Sequence, residues 1–234
     1  MFPFRDNIPS RSFPVITISI IIVNVLAFLY ELTLGTSIEP FMLQYGVVPS
    51  MVVTWPQSEL PVTAIVLPFI TSMFLHGGWF HLIGNMWYLW IFGDNVEDRL
   101  GHFNYFIFYL LCGIGAGIVH TALNYYSIVP SVGASGAIAG VLGAYLISYP
   151  FAKVMTLIPI FFFVQVIEIP ALIVLGFWFL MQFLSGTASL ATTTASEGGV
   201  AWWAHVGGFV LGLVLVGVFP RKDRRQRYED YSRS

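Results

Sequence analysis

The stretch 133–150, GASGAIAGVLGAYLISYP, is apolar apart from two serines and two tyrosines, and it carries glycines at positions 136, 140 and 143. Glycines spaced three and four residues apart lie on one face of a helix, and Pro150 ends the run. The predicted helix, residues 134–150, is about 25 Å long at helical rise. This is shorter than the roughly 30 Å of hydrocarbon in a bilayer. We therefore expect the helix to begin below the outer surface, where a loop descends to meet it.

The rest of the chain is also strongly apolar. Of its 234 residues, 57% are hydrophobic and only 9% are charged, whereas soluble domains carry about 25% charged residues. So few charges cannot cover a surface that faces water. The composition predicts a polytopic integral membrane protein that folds as one domain.

Apolar runs of suitable length predict an all-α membrane protein with six transmembrane helices in a compact bundle. The predicted spans are about 13–34, 78–92, 102–123, 134–150, 170–185 and 200–219. Residues 1–12 precede this membrane domain, 13–219, and a basic tail, 220–234, follows it. Prolines between Gly35 and Gly77 predict a broken loop that lies partly in the interface, and residues 155–169 are assigned to the interface as well.

The basic residues predict the orientation of the spans. All ten lysines and arginines lie in four segments on one side of the predicted membrane domain: 1–12, 93–101, 150–157 and 220–234. The loops of the other side carry Glu39, Glu59 and Glu197 instead. Because cytoplasmic loops are enriched in Lys and Arg, both termini are predicted to be cytoplasmic, which requires an even number of spans. The basic tail is thus interpreted as a topology signal with some attraction to lipid, rather than as a nucleic-acid site.

Ser135 is the first candidate for chemistry. Polar groups inside a membrane are costly and often functional, and Ser135 opens the predicted fourth span. Its backbone N–H there lacks an intrahelical partner, and such groups stabilise developing negative charge. A serine that merely caps the helix, or packs among small residues, is the alternative that this motif alone leaves open.

His205 is the second candidate, inside the predicted sixth span in the sequence AHVGG. Small residues line one face of this helix and one face of the helix that begins at Ser135: Gly136, Gly140, Gly208 and Gly212. Such strips let two helices approach closely. A serine hydroxyl and an imidazole can then reach the hydrogen-bond distance that nucleophilic catalysis needs. The alternative is that the glycines serve only helix packing and that His205 has no part in catalysis.

His81 and Asn85 open the predicted second span, four residues apart, so both side chains can face one site. Neutral histidine and asparagine can donate hydrogen bonds, as an oxyanion hole requires. Zinc is the alternative, but it needs three or four ligands, which His76 and His205 could supply only through an arrangement that the sequence does not suggest. We predict no metal and no cofactor, and the single Cys112 excludes a disulfide framework.

Together these elements resemble the signature of rhomboid proteases, a family of intramembrane serine proteases. The matching elements are Gly133-Ala134-Ser135-Gly136, His205-x-x-Gly208-x-x-x-Gly212 and His81-x-x-x-Asn85, on the fourth, sixth and second predicted spans. The resemblance extends from about Val15 to Phe219 and implies a Ser135–His205 dyad without a third, acidic member. It also implies an oxyanion hole formed by the Ser135 backbone N–H, His81 and Asn85, and a fifth helix that acts as a lateral gate.

Two features depart from the family pattern. Well-studied members have a tyrosine four residues after the serine, beneath the imidazole, where this chain has Ala139. Either another ring, from Trp202 or Trp203, is expected to support His205 instead, or the orientation of His205 is looser. The Trp–Arg pair found in the first loop of many members is also absent, because no arginine lies between Gly35 and Phe80.

The resemblance implies a serine endopeptidase that hydrolyses peptide bonds in or near transmembrane segments through an acyl-enzyme. Expected partners are transmembrane protein substrates and membrane lipid, with no nucleic acid, and the oligomeric state is left open. A non-catalytic rhomboid-like binder of membrane proteins is the alternative, although such relatives typically lack the serine or the histidine. A transporter or channel would be favoured by paired charges or internal repeats. The compact chain favours a multi-pass protein of a prokaryotic plasma membrane.

Overall fold

The computed structural model of the chain describes residues 2–160, 163–191 and 200–220. Most of these residues are helical: α1 (Val15–Glu31), α2 (Ile38–Tyr45), α3 (Pro49–Thr54), α4 (Thr63–Val66), α5 (Pro68–Thr71), α6 (Trp79–Leu100), α7 (His102–Leu123), α8 (Ser135–Ser148), α9 (Ala171–Ala191) and α10 (Trp202–Val218). Three strands are also present: β1 (Phe2–Asp6), β2 (Lys153–Ile160) and β3 (Phe163–Pro170). The predominantly helical fold is as predicted. Glu197 and all but the first residue of the predicted basic tail lie outside the described residues.

Length and apolar composition identify α7 and α9 as helices that can each cross a membrane. Two further apolar stretches are bent: α1 meets the segment Gly35–Tyr45 at 116°, and Thr63–Phe74 meets α6 at 78°. Counting each bent pair as one span gives up to four spans within the described residues. The apolar helices α8 and α10 are shorter, at 14 and 17 residues. The chain is an integral membrane protein, and its count of six spans stays a prediction.

Helix α8 lies at the centre of the bundle, against α6, α7 and α10. Every residue from Gly136 to Tyr145 is buried. A helix that is apolar all round is typically enclosed in this way, and its small residues allow neighbouring backbones to come close. The start of α8, where Ser135 lies, is therefore held by contacts on several sides.

Helix α6 continues beyond its predicted end. The polar string 93–99 predicts that the helix stops at Phe92, but α6 extends to Leu100. The next residue, Gly101, has a φ of 78° and terminates the helix. Glycine adopts this left-handed conformation without strain. Asn95 and Glu97 are buried in the added turns, because their side chains bind polar groups that are distant in the sequence.

The carboxylate of Glu97 caps the start of α1. It accepts hydrogen bonds from the backbone N–H groups of Ile16 and Thr17, at 2.9 and 2.8 Å, and from the Thr17 hydroxyl at 2.7 Å. His102 Nδ1 contacts the same carboxylate. The first N–H groups of a helix lack intrahelical partners, and a negative charge there also interacts favourably with the helix dipole. Glu97 thus fixes α1 to α6.

We expect Glu97→Ala to lower the free energy of unfolding by about 3–5 kcal/mol, because two helix N–H groups and a hydroxyl lose their acceptor. Thermal denaturation of the detergent-purified protein measures the loss. Glu168→Ala is the matched control, since Glu168 is exposed and pairs with Lys153 at 2.8 Å, a type of ion pair worth about 0–1 kcal/mol. Equal stability of the two variants would contradict the capping role.

The three-stranded sheet was not predicted. β1 pairs antiparallel with β2, and β2 pairs antiparallel with β3, in the order β1-β2-β3. The prediction of an all-α chain is therefore wrong for these segments. Residues 155–160 and 163–169, which the sequence analysis assigns to the interface, lie in β2 and β3, the two paired strands of a β-hairpin. β-branched residues recur through both strands of this hairpin, and such side chains fit a pleated sheet better than a helix.

Asp6 attaches β1 to the helices. Its carboxylate accepts hydrogen bonds from the Tyr145 hydroxyl and from Asn95 Nδ2, the latter at 3.0 Å. Burial raises the pKa of the Asp6 carboxyl above its usual range. Part of the predicted N-terminal segment, residues 1–12, therefore packs against the helix bundle.

Candidate active site

Ser135 is the first residue of α8, and the local sequence explains why the helix begins there. Gly133 has a φ of 125°, in the region that favours glycine, and its N–H donates to the Ser72 carbonyl at 2.8 Å. A Cβ at Gly133 would stand 2.6 Å from His81 Nε2, so this turn also needs the space that glycine leaves. Ser135 is half-buried, with its backbone N–H at the open end of the helix.

His205 lies in the first turns of α10 and is buried. Its Nε2 is 2.7 Å from Ser135 Oγ, a hydrogen-bond distance. The structure therefore brings together two side chains that are 70 residues apart in the sequence. They are the two residues that the sequence analysis names as a candidate catalytic pair.

Glycines explain how α8 and α10 come so close. A Cβ at Gly208 would stand 2.0 Å from the carbonyl oxygen of Gly136, and a Cβ at Gly212 would stand 2.0 Å from that of Gly140. Side chains cannot be accommodated at such distances, so backbone contacts backbone along what we call the α8–α10 seam. A Cβ at Gly140 would also stand 2.5 Å from Cys112 on α7. Cys112 is thus a small packing residue beside the seam.

The second ring nitrogen of His205 also has a partner. Nδ1 is 2.7 Å from the amide oxygen of Gln182 on α9, and Gln182 is buried. An amide oxygen accepts hydrogen bonds but cannot donate them, so this contact suits the tautomer of His205 that has its proton on Nδ1. The sequence motifs do not indicate Gln182. A glutamine within a long apolar helix is the signal that could have identified it.

Aromatic rings flank the imidazole of His205. The Trp178 ring lies 5.8 Å away, tilted by 35°, and the Trp202 ring lies 6.3 Å away and nearly perpendicular. Trp202 is one of the two rings expected to support His205. The other, Trp203, packs edge-on against Phe183, and Trp178 was not predicted.

His81 and Asn85 approach the same loop, in keeping with their spacing on one helix face. The position that a Cβ on Gly133 would occupy lies 2.6 Å from His81 Nε2 and 3.5 Å from Asn85 Nδ2. Gly133 precedes Ser135 by two residues. Both polar side chains therefore stand beside the loop that leads into Ser135.

His76, which the sequence analysis considers only as a possible zinc ligand, has another polar role in the structure. Its Nε2 accepts a hydrogen bond from Asn85 Nδ2 at 2.9 Å, and its ring meets that of His81 edge-on at 5.1 Å. Its backbone N–H lies 3.3 Å from the carboxylate oxygens of Glu31. His76 therefore orients the Asn85 amide.

The arrangement has the parts needed for nucleophilic acyl transfer. The imidazole of His205 can take the proton of the Ser135 hydroxyl as that oxygen attacks a carbonyl carbon. A helix-terminal N–H and two polar side chains stand nearby as potential donors to an oxyanion. Among residues 2–160, 163–191 and 200–220, no group of three or more His, Cys, Asp or Glu side chains could hold a metal ion.

Comparison with known proteins gives consistent matches. The Rhomboid domain family matches residues 64–222, a range that contains every site residue above. The chain is 31% identical over 175 residues to Rhomboid-like protein 11, chloroplastic, of Arabidopsis thaliana, covering 71% of this chain and 57% of that protein. It is 31% identical over 166 residues to Rhomboid protein 1, mitochondrial, of Saccharomyces cerevisiae, and the match covers 69% of this chain and 44% of that protein. The chain spans about half the length of these curated relatives.

Proposed function

Because the chain belongs to the rhomboid family, we propose that it is an intramembrane serine endopeptidase with Ser135 as nucleophile and His205 as base. The observation that carries the proposal is the 2.7 Å contact between Ser135 Oγ and His205 Nε2 inside an apolar helix bundle. Polar groups at such positions are costly and are characteristic of functional sites. The backbone contacts along the α8–α10 seam support the proposal, since they give this pair a fixed separation.

In the proposed mechanism, the Ser135 hydroxyl attacks the carbonyl carbon of a substrate peptide while its proton passes to His205 Nε2. The C–N bond then breaks, and the imidazolium gives the proton to the leaving amine. A water molecule, deprotonated by His205 in the same way, hydrolyses the acyl-enzyme and releases the carboxylic acid. The protein returns to its starting state without a cofactor.

We assign the oxyanion to the backbone N–H of Ser135, with His81 and Asn85 as further donors. The position of both side chains beside Gly133 supports this assignment. Donors held in place before the reaction stabilise the developing charge strongly in a site of low dielectric constant. His76, which binds the Asn85 amide, keeps one of these donors oriented.

The proposed substrates are transmembrane segments with Gly, Pro or small residues near their outer end. In a regular helix the carbonyl groups are already hydrogen-bonded, so a segment that unwinds easily exposes its peptide bonds more readily. Six spans with both termini in the cytoplasm belong to the same proposal, and the one-sided distribution of basic residues supports them. The relatives named above are chloroplastic and mitochondrial, so they give no support to the predicted prokaryotic plasma membrane.

The proposal is tested on the full chain, purified in detergent, with a fluorophosphonate probe and a transmembrane reporter that contains a glycine-rich segment. We expect mass spectrometry to locate the covalent adduct on Ser135, and the reporter to be cleaved unless the adduct has formed. Denatured protein is the control for non-specific labelling. A folded chain that neither labels nor cleaves would refute the protease proposal and favour the non-catalytic binder.

A further inference from the structure

Gln182 is the polar side chain that reaches His205 from α9. Gln182 is 8% exposed, whereas its neighbours Met181 and Phe183 are 43% and 42% exposed. Its amide oxygen and His205 Nδ1 are 2.7 Å apart. Buried polar atoms are destabilising unless they are hydrogen-bonded, so each side chain satisfies a requirement of the other.

We propose that Gln182 is a positioning residue that keeps the proton of His205 on Nδ1 and thereby leaves Nε2 free to take the proton of Ser135. This inference rests on the proposed protease function and adds a third member to its site. A neutral imidazole carries one proton, on either Nδ1 or Nε2. The Nδ1–H form presents its lone pair to the Ser135 hydroxyl, so the choice of tautomer decides whether the serine can be activated.

The other neighbours of the imidazole do not select its tautomer. Trp178 and Trp202 contact the ring, but an indole offers one N–H donor and no acceptor. Their contacts hold the plane of the ring and leave the position of its proton undecided. The Ser135 hydroxyl can donate or accept, so it fits either form. Among the described contacts of the ring, the Gln182 amide oxygen is the one that requires Nδ1–H.

An amide suits this position better than a carboxylate. In soluble serine hydrolases a buried aspartate holds the histidine in its working tautomer, but an ionised carboxylate inside a membrane is costly. The Gln182 side chain offers the same type of acceptor without a net charge. A Ser–His pair can therefore lack an acidic third member and still have an oriented histidine.

The acceptor and the histidine belong to different helices, because Gln182 lies on α9 and His205 on α10. One turn further along α9, Gly186 packs beside α10. A Cβ at Gly186 would lie 3.2 Å from Trp203 Cε2 and 3.4 Å from Trp202 Cβ. Moving α9 away from α10 would withdraw the acceptor from Nδ1. The packing of α9 is thus a condition for the working tautomer.

Nitrogen-15 NMR of the full chain, labelled at histidine and purified in detergent, measures the tautomer directly, and His205→Ala identifies the signals. We expect the wild type to carry its proton on Nδ1. Gln182→Met, similar in length but with only a weakly accepting thioether sulfur, is expected to lose this preference, and Gln182→Glu, which keeps a carboxyl oxygen, is expected to restore it. Gln165→Met, at an exposed position of β3, is the matched control and leaves the His205 signals unchanged.

Reporter cleavage gives a second readout. We expect kcat of Gln182→Met to fall about 100-fold while KM stays within about twofold, because proton transfer is impaired and substrate binding is not. Gln182→Glu is expected to recover most of kcat.

Two results would overturn the inference: a wild-type His205 protonated on Nε2, or a folded Gln182→Met that keeps both the Nδ1–H form and the wild-type kcat. The first does not depend on Gln182→Met, so it can be obtained even if that variant does not fold. A wild type that shows the Nδ1–H form, with the preference lost in Gln182→Met, but does not label or cleave would refute the protease function while supporting the tautomer assignment. The two proposals can therefore fail separately.

Discussion

The Ser135→Ala variant is expected to lose reporter cleavage by at least about 10⁴-fold and to lose fluorophosphonate labelling, because alanine has no hydroxyl to attack a carbonyl or the probe. His205→Ala is expected to lose both as well, since the hydroxyl then has no base within hydrogen-bond distance. The two changes remove members of one unit, so the double variant should be no less active than either single variant. Initial rates of cleavage and the extent of labelling measure the effect.

Ser148→Ala is the matched control for this prediction. Ser148 is the last residue of α8, and its hydroxyl donates to the Ala144 carbonyl at 2.6 Å. Its loss removes a local hydrogen bond and leaves the site intact, so labelling and cleavage should match the wild type. A purified Ser135→Ala protein that keeps a tenth of the wild-type cleavage rate would exclude Ser135 as the nucleophile.

The Gly212→Ala variant is expected to be destabilised by about 2–4 kcal/mol and to lose about 100-fold in cleavage. A Cβ at Gly212 would stand 2.0, 2.6 and 2.7 Å from the carbonyl oxygen, carbonyl carbon and Cα of Gly140. These are backbone atoms that no change of rotamer can move aside, so α8 and α10 must separate. A displacement of about 1 Å between reacting groups can cost about 100-fold in rate. Thermal denaturation and initial cleavage rates measure the two effects.

Gly217→Ala provides the control for a glycine substitution in the same helix. Among the residues that the structure describes, and apart from its chain neighbours and the backbone of its own helix, no heavy atom lies within 4 Å of the position that its Cβ would take. Alanine has a higher helix propensity than glycine by about 1 kcal/mol, so this variant should be at least as stable as the wild type and equally active. If Gly212→Ala behaves in the same way, α8 and α10 are not in backbone contact at Gly140.

The Ser135–His205 pair could be predicted because its signals are local in the sequence. Each residue stands beside glycines spaced by one helical turn, so periodicity alone indicates which helix faces come together. Gln182 carries no such signal. It lies in a helix whose neighbours are mostly apolar, and its contact with His205 depends on the rotation of that helix about its axis. Apolar periodicity is too weak in an all-round apolar helix to determine that rotation.

The sheet and the extended α6 were missed for another reason, which is that both depend on distant partners. Glu97 lies within a polar string that resembles a solvated helix end. It is buried because it binds the start of α1, where its partner Thr17 lies 80 residues earlier in the sequence. The strands of the hairpin are apolar and contain proline, a composition also typical of interfacial segments. Their pairing becomes evident from the register of β2 with β3, which periodicity does not reveal.

The pairing of β1 with β2 also sets an order of events during synthesis. Asp6 is opposite Val154 in the sheet, so nearly 150 residues must be added before the first strand meets its partner. At about 5–20 residues per second, the ribosome produces β2 roughly 7–30 s after β1. During that interval α1, α6, α7 and α8 are all translated while β1 has no strand beside it. Closure of this sheet therefore comes after the synthesis of the first four long helices.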